Sequence, residues 1–351
     1  MVYTNGKKIL KASGCQAVYA SAEVLLRYIA GFEAESGCLI TDKTGTTLYT
    51  DKRYIEAAEK LFQGTDVTPT LYKQSDVQAR LAAYEKVGIS YDWTSHVEYL
   101  AMEKAGVKTE NADKAFAEVM SVKSAWELDN IERACSIAEE AFLELLPQIK
   151  EGMTETEIAA LLEYNMRKRG AEGTSFSTIV AFGAHAVVPH HVTGADKLKF
   201  GDEILIDFGC KVNGYCSDIT RTFLFGDNHK NAEFKKAYAA VLAAHELVKE
   251  TAKSGMTGAE VDAIARNYLT EKGYGGLFTH SLGHGIGLQI HEFPSVSPKG
   301  ETPLVDGMVF SDEPGVYAAG EFGIRIEDTV TLKSGNIQSL MTKTDRNLII
   351  L

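Results

Sequence analysis

The pattern of apolar and polar positions divides the chain into two stretches. In the first, short strand-like apolar runs (GCQAVYA, GCLITD and TTLYTD) alternate with amphipathic segments of helical spacing (YIEAAEKLFQG and VQARLAAYEKVG). This alternation predicts an α/β layer. A long helical pattern then begins at Ser124, which forms a potential capping box with Glu127. We therefore place the boundary between an N-terminal domain, residues 1–121, and a C-terminal domain, residues 122–351.

An internal repeat marks the second stretch. EGMTETEIAALLEYNMRKRG (151–170) aligns with SGMTGAEVDAIARNYLTEKG (254–273) at a constant offset of 103 residues. Each copy is a helix that follows a Gly-Met-Thr turn and ends at a glycine. The repeat predicts a duplication, in which two similar αβ halves pack face to face around a cleft. Two copies are too few for a solenoid. The predicted fold class is therefore α/β (α+β).

Composition narrows the class of protein. The 351 residues suffice for two domains, and a hydrophobic fraction of 45% is ordinary for a globular protein. A formal net charge of −12 argues against a nucleic-acid or anionic-membrane partner. The five cysteines are irregularly spaced, as expected for reduced thiols. Because we find neither a membrane-length apolar run nor a secretory signal, we expect a cytoplasmic protein.

Two acids on a predicted hairpin are the first candidates for chemistry. Within residues 201–226, Asn213-Gly214 is a strong signal for a two-residue hairpin loop. That loop places Asp207 and Asp218 on one sheet face as diagonal neighbours. Two such carboxylates repel each other unless a positive charge lies between them. A solvated face is the alternative, but apolar residues share this face, so we favour a site for a hard divalent cation.

Two later acids and two histidines extend the candidate set. Glu313 ends a strand in MVFSDEPGVY, and Glu327 lies within the strand pattern GIRIEDTVTL, where an unpaired buried acid is costly. An ion pair between Arg325 and Glu327 is the alternative. SLGHGIGLQIHE carries His284 and His291 seven residues apart among glycines, unlike the four-residue spacing of helical zinc motifs. Together the four carboxylates and His284 predict one shared metal site.

These motifs resemble a known family. The spacing D-x(10)-D with SDITRT, then GHGIG followed by HE, then EPG and RIED, is similar to the aminopeptidase P/prolidase group of metallopeptidases. The N-terminal TDKRY and its α/β surroundings resemble the first domain of that group, so the resemblance covers nearly the whole chain. It implies a smaller creatinase-like α/β domain followed by a pita-bread catalytic domain built from two pseudo-symmetric αβ halves.

The resemblance also implies roles for individual residues. Two divalent metal ions would be held by Asp207, Asp218, His284, Glu313 and Glu327, with Asp218 and Glu327 as bridges. The catalytic group would be Glu313 as general base with His190 and His291 near the scissile bond, and the substrate-binding group His280 and Arg325. Four carboxylates with one imidazole favour Mn²⁺, with Co²⁺ and Zn²⁺ as alternatives.

Three positions depart from the family pattern. His185 replaces a usual asparagine, and Asp312 replaces a usual apolar residue. Ser295 stands where similar prolidases carry an arginine that grips the free carboxylate of a dipeptide. The departure at Ser295 predicts an Xaa-Pro aminopeptidase that acts on longer peptides with proline second and releases the N-terminal residue.

Other functions stay open as alternatives. The first is an Xaa-Pro dipeptidase (prolidase), and a remoter one is a non-catalytic binding module with the same fold. A creatinase-like amidinohydrolase would lack this ligand set, and a methionine aminopeptidase would normally lack the N-terminal domain. We expect peptide substrates, neither nucleic-acid nor membrane partners, and a homodimer.

Overall fold

The computed structural model describes residues 5–228 and 232–351 and divides into two compact units, Met1–Met120 and Ser121–Leu351. All five cysteines are free thiols. None of the helices in the described ranges is both long enough and apolar enough to cross a bilayer.

The N-terminal unit is built on a six-stranded mixed sheet with the strand order β4-β3-β2-β1-β5-β6. Its strands are β1 (Ala17–Ala20), β2 (Cys38–Asp42), β3 (Gly45–Thr50), β4 (Val67–Leu71), β5 (Val87–Ile89) and β6 (Thr109–Asn111). Its helices are α1 (Asn5–Ser13), α2 (Glu23–Ala30), α3 (Ile55–Leu61), α4 (Gln74–Ala82), α5 (His96–Lys104) and α6 (Asp113–Ser121). The three predicted apolar strands are β1, β2 and β3, and the α/β fold class is confirmed. The segment VQARLAAYEKVG is helical only to Ala82, and its last two residues, Val87 and Gly88, open β5 instead of closing the helix.

The described part of the C-terminal unit contains two larger sheets, one in each half of the duplication, with strand orders β11-β8-β7 and β13-β12-β14-β17-β18. It also contains two small hairpins, β9–β10 and β15–β16. Its helices are α7 (Ala125–Leu145), α8 (Glu155–Lys168), α9 (Ala232–Thr251) and α10 (Gly258–Glu271). Its strands are β7 (Ile179–Phe182), β8 (Glu203–Phe208), β9 (Lys211–Val212), β10 (Tyr215–Cys216), β11 (Ile219–Leu224), β12 (Gly283–Gly285), β13 (Glu292–Val296), β14 (Val309–Asp312), β15 (Gly315–Ala318), β16 (Phe322–Arg325), β17 (Asp328–Lys333) and β18 (Asn336–Ser339).

The duplication predicted from the repeat is visible at the start of α8 and α10. Thr154 and Thr257 are N-caps, each in a capping box with a glutamate three residues later. In each preceding turn a lysine backbone N–H lies 3.3 Å from a methionine sulfur, that of Met153 or Met256. The strand order β7-β8-β11 in the first half matches β12-β14-β17 in the second. The prediction of two pseudo-symmetric halves is thereby confirmed.

The hairpin register agrees with the two-residue loop. Asn213 and Gly214 both have positive φ, 47° and 75°, as a type I′ turn requires, and Val212 pairs with Tyr215. The strand predicted after the loop is interrupted, however, between β10 and β11. There the Ser217 hydroxyl accepts the backbone N–H of Cys210, and Asp218 donates its own N–H to Thr329 Oγ1 at 3.0 Å. Residues 217–218 thus contact Cys210 in the first half and Thr329 of the second half instead of continuing one strand ladder.

The alternation of side chains on β8 separates core from cavity. Phe208 stacks on Phe142 of α7 with ring centroids 5.5 Å apart, and Phe223 of β11 meets the same ring edge-on. Because side chains alternate along a strand, Asp207 points away from this aromatic core. The same rule puts the buried Arg221 on the core side, opposite Ile206.

Candidate metal centre

One cavity of about 690 Å³ in the C-terminal unit collects every site residue predicted from the sequence. Its walls include the predicted ligands Asp207, Asp218, His284, Glu313 and Glu327, and also His190, His280, His291 and Arg325. Cavities of this size are typical of small-molecule sites.

Both halves of the repeat supply carboxylates to this cavity. Asp207 lies on β8, and Asp218 immediately precedes β11. Glu313 immediately follows β14, and Glu327 lies in the two-residue gap between β16 and β17 rather than inside one long strand. The backbone N–H of Glu327 donates to the Thr220 carbonyl at 3.1 Å, which joins the two halves beside the cluster.

His284 turns one ring nitrogen toward the acids. Its Nε2 lies 3.6 Å from Asp218 Oδ2 and 3.4 Å from Glu313 Oε1, whereas its Nδ1 lies 3.2 Å from the Gly285 carbonyl. Asp218, His284 and Glu327 each offer one donor atom, and these three atoms lie within 4.8 Å of one another. This is a spacing that a single cation can span after small shifts.

The glycines on either side of His284 allow the neighbouring strands to come close. A Cβ on Gly283 would lie 1.9 Å from the Ser311 carbonyl oxygen, and one on Gly285 would lie 2.3 Å from that of Phe293. Any side chain at either position would therefore push β12 away from its neighbours and take His284 with it.

Burial and mutual repulsion perturb the acids. Burial, followed by the charges of neighbouring carboxylates, raises the pKa of Asp218 and of Glu327 well above the ordinary range. Burial likewise raises the pKa of Glu313 to about 8, although Arg325 opposes the shift. Asp207 Oδ1 is buried without a hydrogen bond from any described residue. An oxygen-rich donor set with too little positive charge fits divalent cations.

Arg325 connects the cluster to a polar wall. Its guanidinium donates to Asp207 Oδ2 at 2.5 Å, to Tyr317 Oη at 2.9 Å and to Thr220 Oγ1 at 2.9 Å. His280 Nε2 lies 2.9 Å from the same Tyr317 oxygen. Burial, with Arg325 adding to it, lowers the pKa of His280 to about 3, so this imidazole is neutral.

The alternative of an ion pair between Arg325 and Glu327 does not match the structure. Within the described ranges the guanidinium pairs with Asp207 and, at 4.0 Å, with Glu313. Arg325 ends β16, and the chain changes direction at Glu327 before β17 begins, so the two side chains are not neighbours on one continuous strand.

Tyr317 and Ser311 belong to the site although the sequence analysis did not select them. Tyr317 lies two residues after Gly315, which pairs with Arg325, so the two side chains share a face of the β15–β16 hairpin. The turn signal in VYAAGEFG could have located that hairpin. The Ser311 hydroxyl donates to Glu313 Oε1 at 3.0 Å and accepts the His284 backbone N–H; this bond depends on strand pairing that no local pattern reveals.

The other predicted residues lie on the wall of the cavity. The His291 ring centroid is 4.1 Å from that of His284, with the planes inclined by 58°. His190, in the segment between β7 and β8, is exposed and also lines the cavity. Ser295 also lines the cavity and donates its hydroxyl to Ser297 at 2.8 Å.

Behind the cavity lies a second group of charges, which we call the buried ion network. It consists of Asp312 and Asp328 with His245, Arg221 and Arg346. His245 Nδ1 lies 3.0 Å from Asp312 Oδ2, and its Nε2 lies 3.4 Å from Asp328 Oδ2. Arg221 and Arg346 approach Asp328 at 3.0 and 2.5 Å. The unusual Asp312 is therefore one side of a buried ion pair.

Known proteins share this architecture over nearly the whole chain. Residues 129–334 match the family described as Metallopeptidase family M24, and residues 5–121 match the Creatinase/Prolidase N-terminal domain. An Xaa-Pro dipeptidase of Pyrococcus furiosus is 36% identical over 345 residues, 97% of each chain. The structure of an Xaa-Pro dipeptidase from Bacillus anthracis superposes with a TM-score of 0.93 at 34% identity and covers 99% of each chain.

A third relative carries a different name. The structure of an X-Pro aminopeptidase from Thermotoga maritima has a TM-score of 0.89 at 36% identity and covers 98% of this chain and 99% of its own. The matches agree on the fold and on the class of enzyme: the chain is a hydrolase that belongs to metallopeptidase family M24.

Proposed function

We propose that the protein is an Xaa-Pro dipeptidase, which hydrolyses the bond before proline in dipeptides. The observation that carries the proposal is the convergence of four carboxylates and His284 on one cavity. The relatives from Pyrococcus furiosus and Bacillus anthracis, which bear this activity in their names, support the choice of substrate.

We assign Asp207, Asp218, His284, Glu313 and Glu327 to hold two divalent cations, with Mn²⁺ favoured by the oxygen-rich set. When bound, such cations act as Lewis acids that polarise a carbonyl and lower the pKa of a water molecule. Burial and neighbouring carboxylates raise the pKa of Asp218 and of Glu327, and bound cations would offset the cost of their buried charge.

The remaining groups position the substrate and move protons. Glu313, with one oxygen held by the Ser311 hydroxyl, is placed to take a proton from the attacking water and pass it to the departing proline nitrogen. His291, beside His284, and His190 are placed to donate hydrogen bonds to the carbonyl oxygen as it gains negative charge. Neutral His280 and Tyr317 hold Arg325 in a fixed orientation against Asp207.

Ser295 supports a second candidate, the Xaa-Pro aminopeptidase expected from the sequence. Its hydroxyl cannot form the bidentate ion pair of an arginine with a dipeptide's carboxylate. The Thermotoga maritima relative bears this activity in its name. We rank it second because the relatives from Pyrococcus furiosus and Bacillus anthracis bear the dipeptidase activity in their names.

A series of peptide lengths separates the two candidates. The purified protein, loaded with Mn²⁺, is assayed on Leu-Pro, Leu-Pro-Gly and a matched pentapeptide. A dipeptidase cleaves Leu-Pro with a kcat/KM at least about tenfold above that of the longer peptides, since a charged hydrogen bond contributes about 1.5–3 kcal/mol. The reverse order would establish the aminopeptidase. In that case S295R should move the preference back toward Leu-Pro by about tenfold.

A further inference from the structure

A second cluster of potential ligands lies at the start of α8, and one of its members, His191, also lines the cavity. Glu155, the first residue of α8, has no exposed surface, and two imidazoles contact its carboxylate. His185 Nδ1 lies 2.8 Å from Oε1, and His191 Nε2 lies 2.9 Å from Oε2. The two rings are 4.6 Å apart and inclined by only 30°.

We propose that Glu155, His185 and His191 bind a transition-metal ion of the Zn²⁺ class as a further site. The inference does not depend on the proposed peptidase activity. One carboxylate with two imidazoles is a donor set that zinc accepts. Ligands about 2.0–2.2 Å from one zinc ion lie about 3–4 Å from each other. One donor atom from each residue lies within 4.8 Å of the others, so small side-chain movements complete the site.

The charge of the cluster favours a cation. Burial opposes ionisation of Glu155, but hydrogen bonds from His191, His185 and the backbone outweigh it and lower its pKa, so the group is a carboxylate. Within residues 5–228 and 232–351, its ion-pair partners are the two histidines, and no lysine or arginine joins them. A dication placed between the carboxylate and the two imidazoles would supply the positive charge that a buried carboxylate requires.

The far side of His185 faces the exposed carboxylate of Asp196, which lies just beyond hydrogen-bond distance. Its Nε2 lies 3.9 Å from Asp196 Oδ2 while its Nδ1 faces Glu155. Histidine ligands commonly donate their second ring N–H to a carboxylate, which fixes the tautomer and increases the basicity of the coordinating nitrogen. This arrangement supplies Nδ1 as the coordinating atom of His185.

The backbone around the cluster is already held in place. The N–H groups of Phe182 and Gly194 donate to the two Glu155 oxygens at 3.1 and 2.8 Å. The segment between these residues therefore starts and ends at the same carboxylate. It carries His190 on the cavity wall, so an ion at this cluster would hold the segment that positions a predicted catalytic imidazole.

Zinc binding tests the assignment directly. Chelator-stripped wild-type protein, D218A and H185N are titrated with Zn²⁺, and bound zinc per chain is measured by mass spectrometry after gel filtration. We expect wild type to bind one ion more than H185N, and D218A to keep the ion that H185N loses. In the D218A background, Zn²⁺ should raise the Tm by several degrees, and H185N should remove that increase.

Controls separate loss of the ligand from loss of the fold. H185N introduces a residue of similar polarity at a partly exposed position, and a cooperative metal-free unfolding transition shows that the variant is folded. H191Q serves as the second variant if H185N does not fold. Equal zinc content in wild type and in the folded ligand variants would overturn the proposal. So would a zinc-loaded crystal without anomalous scattering between Glu155 and the two imidazoles.

Discussion

The cavity carboxylates and the buried ion network differ in one respect, the source of their positive charge. The two groups share backbone: Asp312 precedes Glu313, and Asp328 follows Glu327. Asp312 and Asp328 pair across β14 and β17 and point to the network, whereas their sequence neighbours point to the cavity. Adjacent acids thus enter two environments because Asp312 and Asp328 lie within the paired strands, whereas Glu313 and Glu327 lie just beyond the strand ends.

The pKa values show the consequence. Burial opposes ionisation of Asp328, but Arg221, His245 and Arg346 outweigh it and hold its pKa well below the usual range. In the cavity the neighbours of Asp218 are acids, and its pKa is raised. The network carries three cationic side chains for two acids, whereas the four cavity carboxylates share Arg325, which pairs with Asp207, and the rest of their charge is left to cations from solution.

The largest effect is expected at Asp218. D218A should lower kcat/KM by about 10³-fold or more, because it removes a carboxylate assigned to both cations. The assay compares wild type and variant on Leu-Pro at saturating Mn²⁺, with metal content measured in parallel. Full activity in a variant shown to lack a cation would contradict the two-cation proposal.

Removing one negative charge should change the free energy of unfolding with opposite sign in the buried ion network and in the cavity. In metal-free protein, D328N leaves Arg221, Arg346 and His245 without their shared anion and should lower the free energy of unfolding by about 3–5 kcal/mol. D218N relieves repulsion and should raise it. Urea denaturation of both variants provides the measurement, with D218N as the matched control. A loss of similar size in both would remove the distinction.

The two histidines of SLGHGIGLQIHE sharpen the cavity side of the comparison. H284A should lose metal, because its Nε2 faces Asp218 and Glu313. H291A should retain metal, and its kcat should fall by about 10²–10³-fold, because the His291 imidazole is assigned to stabilise the transition state. Metal analysis and steady-state kinetics are read together. Equal metal loss in both variants would contradict the assignment of His291 to the substrate rather than to the metal.

The smallest effect concerns a buried acid that belongs to neither group. Burial raises the pKa of Glu203 to about 7, and its Oε1 has no hydrogen-bond partner among the described residues. A raised carboxyl pKa lowers stability as pH rises from about 4 to about 7. E203Q should therefore stabilise the protein by on the order of 1–2 kcal/mol at pH 8 and hardly at pH 4. Thermal unfolding at both pH values checks this, and a pH-independent gain would contradict it.

Local sequence signals predicted part of the fold and of the candidate site. Asn213-Gly214 determines the hairpin register, and the register brings Asp207 and Asp218 to one face. The Gly-Met-Thr repeat reveals the duplication because both turns use the same capping chemistry. The strand pattern of MVFSDEPGVY selected Glu313 as a candidate, and the motif resemblance implied its role.

The buried ion network could not be predicted in the same way. Arg221 lies on the apolar face of β11, where alternation alone predicts a core residue, and its partner Asp328 is 107 residues away. His245 lies on α9 and meets two strands that follow it much later in the chain. Such contacts follow from tertiary packing, which neither periodicity nor motif spacing encodes.

The duplication has a consequence for how the enzyme responds to dilution. Each half contributes two of the four carboxylates, one at its β8 or β14 strand and one immediately before β11 or β17. A free-standing ancestral half would complete such a cluster only by pairing with a second copy across a two-fold axis. Its metal affinity would then have fallen with chain concentration. Because both halves of this protein belong to one polypeptide, the four carboxylates meet within one chain and their convergence does not depend on chain concentration.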